Sequence, residues 1–101
     1  MNSEIILIEG VESFDSMGNA IIAPSETKKK AVFAEIRSIG STELYQAWTV
    51  KKNPVMKAVV FADEYNKEPF LQHDGEIYEI YKDFKKGEKV ELTCEVKRKW
   101  V

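Results

Sequence analysis

Apolar and polar residues alternate along much of this chain, and this pattern most constrains how it can fold. In residues 89–97 the apolar positions are Val90, Leu92, Cys94 and Val96. The polar positions between them are Glu91, Thr93, Glu95 and Lys97. Because successive side chains of a strand point to opposite faces of a sheet, this segment is predicted to be a strand with one buried face.

The same reasoning predicts further strands. Residues 4–9 (EIILIE) are apolar on both faces, which indicates a strand inside the sheet. Residues 31–38 place small apolar side chains on one face, and residues 55–65 are predicted to be extended. Asp74 and Gly75 are typical of a type I′ hairpin turn, which needs positive φ at both positions, so a strand is expected on each side of them.

Residues 14–30 interrupt the strand pattern. The turn-forming residues of this segment are Asp15, Gly18, Asn19 and Pro24, set among small polar residues and followed by three lysines. We expect a long, mobile hairpin loop here, which becomes ordered only against a partner.

The hydrophobic period changes to that of a helix at residues 41–49. The apolar residues at helical spacing are Leu44, Ala47 and Trp48. Ser41 is placed to cap the amino end, and Pro54 prevents the helix from continuing. A short helix that packs onto the strands through Leu44 and Trp48 is therefore predicted.

These elements predict a mainly β fold, namely a small six-stranded antiparallel β-barrel or sandwich with one short helix between strands. A chain of 101 residues has the size of one domain, so residues 1–101 are expected to form a single domain. No apolar run is long enough for a membrane helix, and we expect a soluble protein without a membrane partner. The net charge of −2 differs from the strongly basic footprint of nucleic-acid-binding domains.

No residue pattern indicates catalysis, a cofactor or a metal site. His73 is the only histidine and Cys94 the only cysteine. A catalytic triad, a structural zinc site and a disulfide each need partners that these residues lack in the sequence. The five glycines are spread along the chain and form no phosphate-binding loop. We therefore predict that the protein is not an enzyme and binds no cofactor or metal.

Tyr78 and Tyr81 follow the Asp-Gly turn and could stack bases, bind a sugar or fill a core. On a regular strand they point to opposite faces, so they cannot form one stacking platform. Base-stacking sites also lie in positively charged grooves. We predict that both pack in the core or at a subunit interface, one inside the barrel and the other against a neighbouring subunit.

The order of features resembles the phage head-tail joining family, also called head-closure or head-tail connector proteins, of long-tailed phages and prophages. The matching pieces are IILIEGVESFDSMGN, with a D-x-x-G-N turn; IRSIGSTELYQAW, a strand that runs into a helix; VFADEYNKEPFLQHDGEIYEIYKDF, with a G-x-x-Y-x-I-Y strand; and the closing strand KVELTCEVK. They cover nearly the whole chain. Many members have a glycine-rich link after the helix, where this chain has VKKNPV.

The resemblance implies a structural virion protein at the head-tail interface, assembled in the bacterial cytoplasm. Such a subunit joins the portal and adaptor proteins of the phage head, closes the DNA channel and offers the tail proteins an attachment surface. Family members form homo-oligomeric rings in the virion. Some stay monomeric until they meet the growing assembly, which is the behaviour we expect here.

The helix and the loop after it are predicted to face the channel or a neighbouring subunit, because this is the only helix among strands. The residues assigned to this surface are Leu44, Tyr45, Trp48, Lys51 and Lys52. The two lysines are expected to be exposed, where they can contact the phosphates of packaged DNA or an acidic partner.

Three alternatives stay open. A small enzyme or enzyme subunit would need a nucleophile, a base or a metal set, and His73 and Cys94 are poorly placed to supply one. A tail-completion, or terminator, connector would form a similar ring with a different partner. An OB-like nucleic-acid-binding domain would share the strand count, but it needs aromatic and basic residues alternating on one sheet face, a pattern that this sequence lacks.

Overall fold

The computed structural model describes residues 2–96, in which six strands and one α-helix account for most of the chain. The strands are β1 (Asn2–Phe14), β2 (Ala20–Arg37), β3 (Pro54–Phe61), β4 (Phe70–His73), β5 (Glu76–Lys86) and β6 (Lys89–Val96). The helix α1 is Ser41–Thr49, and a 3-10 turn covers Ala62–Glu64. The predicted mainly β fold with one short helix between strands is confirmed. No helix in the described range is long and apolar enough to cross a membrane.

All neighbouring strands are antiparallel, in the order β1-β2-β3-β6-β5-β4. The last strand in this order, β4, also pairs with β1, where Leu7 lies opposite Leu71. The sheet therefore closes into a barrel, which decides between the barrel and the sandwich that the sequence left open.

The core lies inside this closed sheet. It consists of Ile5, Leu7, Val32, Ala34, Met56, Ala58, Val60, Leu71, Val90, Leu92 and Cys94. Leu92 and Cys94 are fully buried, as the alternation in β6 predicted, but Thr93 on the opposite face is buried as well, so the strand does not have only one buried face. Lys97 of that prediction lies outside the described residues. Ile8 points to the other side of β1 and is also fully buried, so the prediction that this strand is apolar on both faces and lies within the sheet is confirmed.

The Asp-Gly turn between β4 and β5 forms as predicted. Asp74 has φ 52° and Gly75 has φ 80°, so both centres take the left-handed conformation of a type I′ turn. The predicted extended segment 55–65 is too long, because β3 ends at Phe61 and the chain then forms the 3-10 turn.

The predicted loop over residues 14–30 is wrong, because β2 begins at Ala20 and the turn is only residues 15–19. The Asp15 carboxylate closes this turn by accepting hydrogen bonds from the Met17 amide at 2.9 Å and the Asn19 amide at 2.8 Å. Gly18 supplies the one positive φ of the turn, 85°. The structure does not test whether this segment is mobile, which stays a prediction.

The other polar residues of that segment form a large bulge in β2. The pairing passes from Ile8 opposite Lys29 to Gly10 opposite Pro24, so residues 25–28 lie opposite Glu9 alone. Ser25 is buried, and its hydroxyl accepts hydrogen bonds from the amides of Thr27 at 3.2 Å and Lys28 at 3.0 Å.

After the bulge, Lys30 is fixed to the barrel. Its ammonium donates a hydrogen bond to the Glu64 carbonyl and lies 3.6 Å from the Glu68 carboxylate. Glu68 is buried, and its other carboxylate oxygen accepts a hydrogen bond from the Asn66 amide at 2.7 Å. A buried carboxylate needs such partners, so the end of the lysine run is part of the folded domain.

Residues 10–24, beyond the bulge, form a two-stranded extension that we call the arm. In the described residues β4 pairs with β1 only at residues 6–8, and β3 pairs with β2 only at residues 35–37. The arm strands therefore pair only with each other.

Candidate interaction surface

The helix α1 lies on the outer face of the barrel and is held there by a small residue and an ion-pair network. Ala47 is buried and Leu44 is half-buried. Lys57 on β3 donates to the Glu43 carboxylate of the helix and lies 3.4 Å from the Glu91 carboxylate of β6. The hydrogen bond with Glu43 raises the pKa of Lys57 above its ordinary value, so the ammonium stays charged.

The helix start differs from the prediction in one detail. Gly40 is the N-cap, and no side chain caps the helix, so Ser41 is its first residue and not its cap. The boundaries of the helix otherwise agree with the prediction.

The outer side of α1 carries exposed aromatic residues. Tyr45 is 65% exposed and Trp48 52% exposed, and their rings meet edge-to-face with centroids 5.4 Å apart. The prediction that Trp48 docks the helix is therefore wrong. Ala47 is the buried residue of the helix, whereas about half of Trp48 is exposed to solvent.

The two lysines of the loop after the helix lie in different environments, although the sequence predicted that both would be exposed. Lys51 has φ 60°, is exposed and makes no ion pair within the described residues. Lys52 is half-buried and lies 3.5 Å from Glu95 Oε2, a buried atom that accepts no hydrogen bond in this part of the chain. The Lys52 ammonium is also 5.4 Å from the centroid of the Tyr81 ring.

The helix and the loop after it expose Tyr45, Trp48, Val50 and Lys51, which we call the helix patch. Tyr45 and Trp48 contact each other, and none of the three apolar members belongs to the core cluster of the described residues. Of the five residues that the sequence assigned to an interface, Tyr45, Trp48 and Lys51 are on this surface. Leu44 and Lys52 face the barrel.

Of the two tyrosines predicted to pack in the core or at a subunit interface, Tyr78 packs against the core, and the subunit contact of Tyr81 stays a prediction. Tyr78 is half-buried and packs against the core, where burial raises the pKa of its phenol. Tyr81 is the extra residue of a bulge in β5, because Ile80 pairs with Cys94 and Lys82 pairs with Thr93. Lys82 therefore does not share a face with Tyr78 and Ile80, in contrast to the expectation from a regular strand.

A second exposed apolar surface lies on the arm. Phe14 is 63% exposed, Met17 at the turn is 84% exposed, and Ile22 is 54% exposed. We call these three residues the arm patch. Glu12 is directly opposite Ile22 in the ladder and Asp15 follows Phe14, so acidic groups border the patch. The sequence analysis missed this surface because it placed the whole segment in a loop; the paired Ile21 and Ile22 were the signal of a strand.

The described residues show no arrangement for covalent chemistry. Cys94 is fully buried, and burial raises the pKa of its thiol to about 12, which keeps it protonated and unreactive. His73 Nδ1 lies 3.8 Å from the Asp74 carboxylate at the hairpin turn. No group of three or more potential metal ligands occurs in residues 2–96.

No protein-family model and no curated protein matches this chain.

Proposed function

We propose that this chain is a structural subunit of the phage head-tail junction. In this role it joins the portal-adaptor complex of the head, closes the DNA channel and presents the surface to which the tail attaches. The order of sequence features that resembles head-closure proteins supports this assignment. The closed barrel with one helix is the kind of small β domain that the resemblance implies.

The observation that carries the proposal is the presence of two groups of exposed apolar side chains on one small domain, which also exposes Phe33, Phe61 and Phe84. The arm patch is at the amino end of β2, and the helix patch follows its carboxyl end. Exposed apolar surfaces of this kind mark interaction sites. Two different surfaces on one subunit allow head-to-tail contacts, which build rings when the rotation closes. A ring around a channel is the form that a head-closure protein takes.

The expected partners are the portal and adaptor proteins on one side and the tail proteins on the other. The free chain is expected to be mainly monomeric at micromolar concentration, because the barrel buries its own core. Lys51 is available for non-specific contact with the phosphates of packaged DNA, since it is the exposed lysine of the helix patch without an ion pair.

The proposal is tested by deleting the gene in a phage or lysogen that carries it and examining the lysate by electron microscopy. We expect full-length tails beside unattached heads that have lost their DNA. Supplying the intact gene from a plasmid should restore joined particles. Stable DNA-filled heads with defective tail ends would favour the tail-completion alternative, and normal infectious virions would refute both.

A further inference from the structure

The arm patch and the helix patch lie toward opposite ends of β2, an 18-residue strand whose middle part is built into the barrel. Ile22 of the arm patch is near the first residue of β2, and the helix patch follows its last residue. Each patch exposes large apolar side chains that the described residues of the same subunit leave uncovered. A contact between the two surfaces is therefore expected to join two copies.

We infer that the arm patch of one copy binds the helix patch of a second copy. Phe14, Met17 and Ile22 would pack against Tyr45, Trp48 and Val50 of the neighbour. This inference rests on the proposed function for its biological setting, and it names the subunit contact from which the ring is built.

Charge complementarity favours this pairing over the alternatives. The arm carries Glu12 and Asp15 and has no lysine or arginine in residues 10–24. The Asp15 carboxylate accepts three hydrogen bonds of its turn, from the Asn19 amide, the Met17 amide and the Asn19 side chain, and these lower its pKa and keep it negative. The helix patch carries Lys51, which has no ion-pair partner in its own subunit.

A contact of either patch with the same patch of a second copy is disfavoured by these charges. It would bring arm to arm, with carboxylates against carboxylates, or helix patch to helix patch, with lysine against lysine. Exposed ion pairs contribute little to affinity, so the charges select the orientation and the apolar residues supply most of the attraction.

The contact is head-to-tail, so every copy uses its arm on one side and its helix patch on the other. An isolated pair makes one such contact and leaves two surfaces free. In a closed ring each subunit makes two contacts, and the local concentration of the second site strengthens binding. A weak pairwise contact is therefore compatible with a monomeric free protein and a stable ring on a preassembled head.

Disulfide trapping tests the inference with purified protein. Ser16→Cys adds a thiol at the arm tip beside Met17, and Thr49→Cys adds one on the outer side of α1 beside Tyr45, so the contact residues stay intact. The native Cys94 is fully buried and does not compete. One variant is labelled with nitrogen-15, the two are mixed at high concentration, and copper phenanthroline with dissolved oxygen serves as the oxidant.

We expect the mixed Ser16→Cys and Thr49→Cys disulfide to exceed either same-variant disulfide several-fold by intact mass. Glu88→Cys, an exposed position on the turn between β5 and β6, is the matched control and should give only background with Ser16→Cys. A mixed product at the level of this control would overturn the inference. Dominant arm-to-arm product from Ser16→Cys alone would overturn it in favour of a two-fold contact.

A charge exchange tests the orientation. Adding Glu12→Lys to the arm variant should lower the yield of mixed disulfide at low salt, and adding Lys51→Glu to its partner should restore it. Unchanged yields throughout would overturn the charge matching. These results are independent of the gene deletion: trapping without a deletion phenotype would refute the proposed function alone, whereas head-tail separation without trapping would refute the arm contact alone.

Discussion

The barrel and the arm are made from the same two strands, yet they are stabilised in different ways. In the barrel, Ile5 and Leu7 of β1 are fully buried, and both edges of the strand are paired at residues 6–8. In the arm, the same strand exposes most of Phe14 and pairs only with β2. From this difference we expect the barrel to supply most of the stability of the fold and the arm to contribute little.

The largest expected difference between the two regions is in amide hydrogen exchange. Amides of the barrel part of β1 should exchange only through global unfolding, which costs about 5–15 kcal/mol in domains of this kind. Amides of residues 10–24 should exchange much faster, because the arm opens without exposing the core. This sharpens the mobility predicted for residues 14–30, since we now expect slower exchange at Lys30. Uniformly slow exchange in the free monomer would contradict the comparison.

A matched pair of alanine substitutions compares how much the barrel core and the arm contribute to the free energy of unfolding. Leu92→Ala removes a fully buried side chain from the core and should lower the free energy of unfolding by about 2–5 kcal/mol. Met17→Ala removes a side chain that is 84% exposed at the arm tip and should change it by less than about 0.5 kcal/mol. Urea unfolding of both variants checks this. A large loss for Met17→Ala would show that the arm belongs to the folding core.

The sequence predicted the barrel better than the arm for a physical reason. Core strands reveal themselves through alternation, and the Asp74-Gly75 turn through the local conformations that its residues favour. In residues 14–30 the turn-forming residues lie in a short turn between β1 and β2 and in a bulge within β2. Local propensity does not show whether such residues form an open loop or interrupt a ladder.

The candidate surface was predicted only in part because it depends on tertiary packing. The helix boundaries followed from the hydrophobic period and Pro54, but which side faces the sheet depends on how closely the helix can approach. Ala47 is the buried residue of the helix, and Trp48 is about half exposed. The bulge at Tyr81 and the burial of Lys52 against Glu95 depend on strand register, which no local pattern specifies.

Gly10→Ala tests how tightly the arm packs against the barrel at their junction. A Cβ at this position would lie 2.5 Å from the Ile22 Cγ2 atom and 3.0 Å from the Pro69 Cγ atom, closer than packed carbons approach. We expect a loss of about 1–3 kcal/mol in the free energy of unfolding from this overpacking. Adding Ile22→Ala should recover most of the loss, because it removes the nearest obstructing atom. A Gly10→Ala variant as stable as the wild type would show that the arm shifts freely on the barrel.

Substitutions of the two lysines after the helix are expected to have small effects on stability. Comparing them shows whether stability and binding depend on different residues. Lys52→Glu places a second carboxylate beside the buried oxygen of Glu95 and removes the cation near the Tyr81 ring. We therefore expect it to lower the free energy of unfolding by about 1 kcal/mol. Lys51→Glu changes an exposed residue without an ion pair and keeps a non-glycine residue at its positive φ. Its stability should therefore stay within about 0.5 kcal/mol of the wild type.

Lys51→Glu should nevertheless weaken the contact between the helix patch and a neighbour's arm, because it replaces attraction to Glu12 and Asp15 by repulsion. Thermal unfolding measures the stability of Lys51→Glu. The yield of joined particles in a complementation assay measures the effect on the contact, with Lys85→Glu, an exposed change of the same charge on β5, as the control. Equal yields from Lys51→Glu and Lys85→Glu would mean that the helix patch is not a working surface. A lower yield from Lys51→Glu at unchanged stability would locate function on the helix patch and stability in the barrel beneath it.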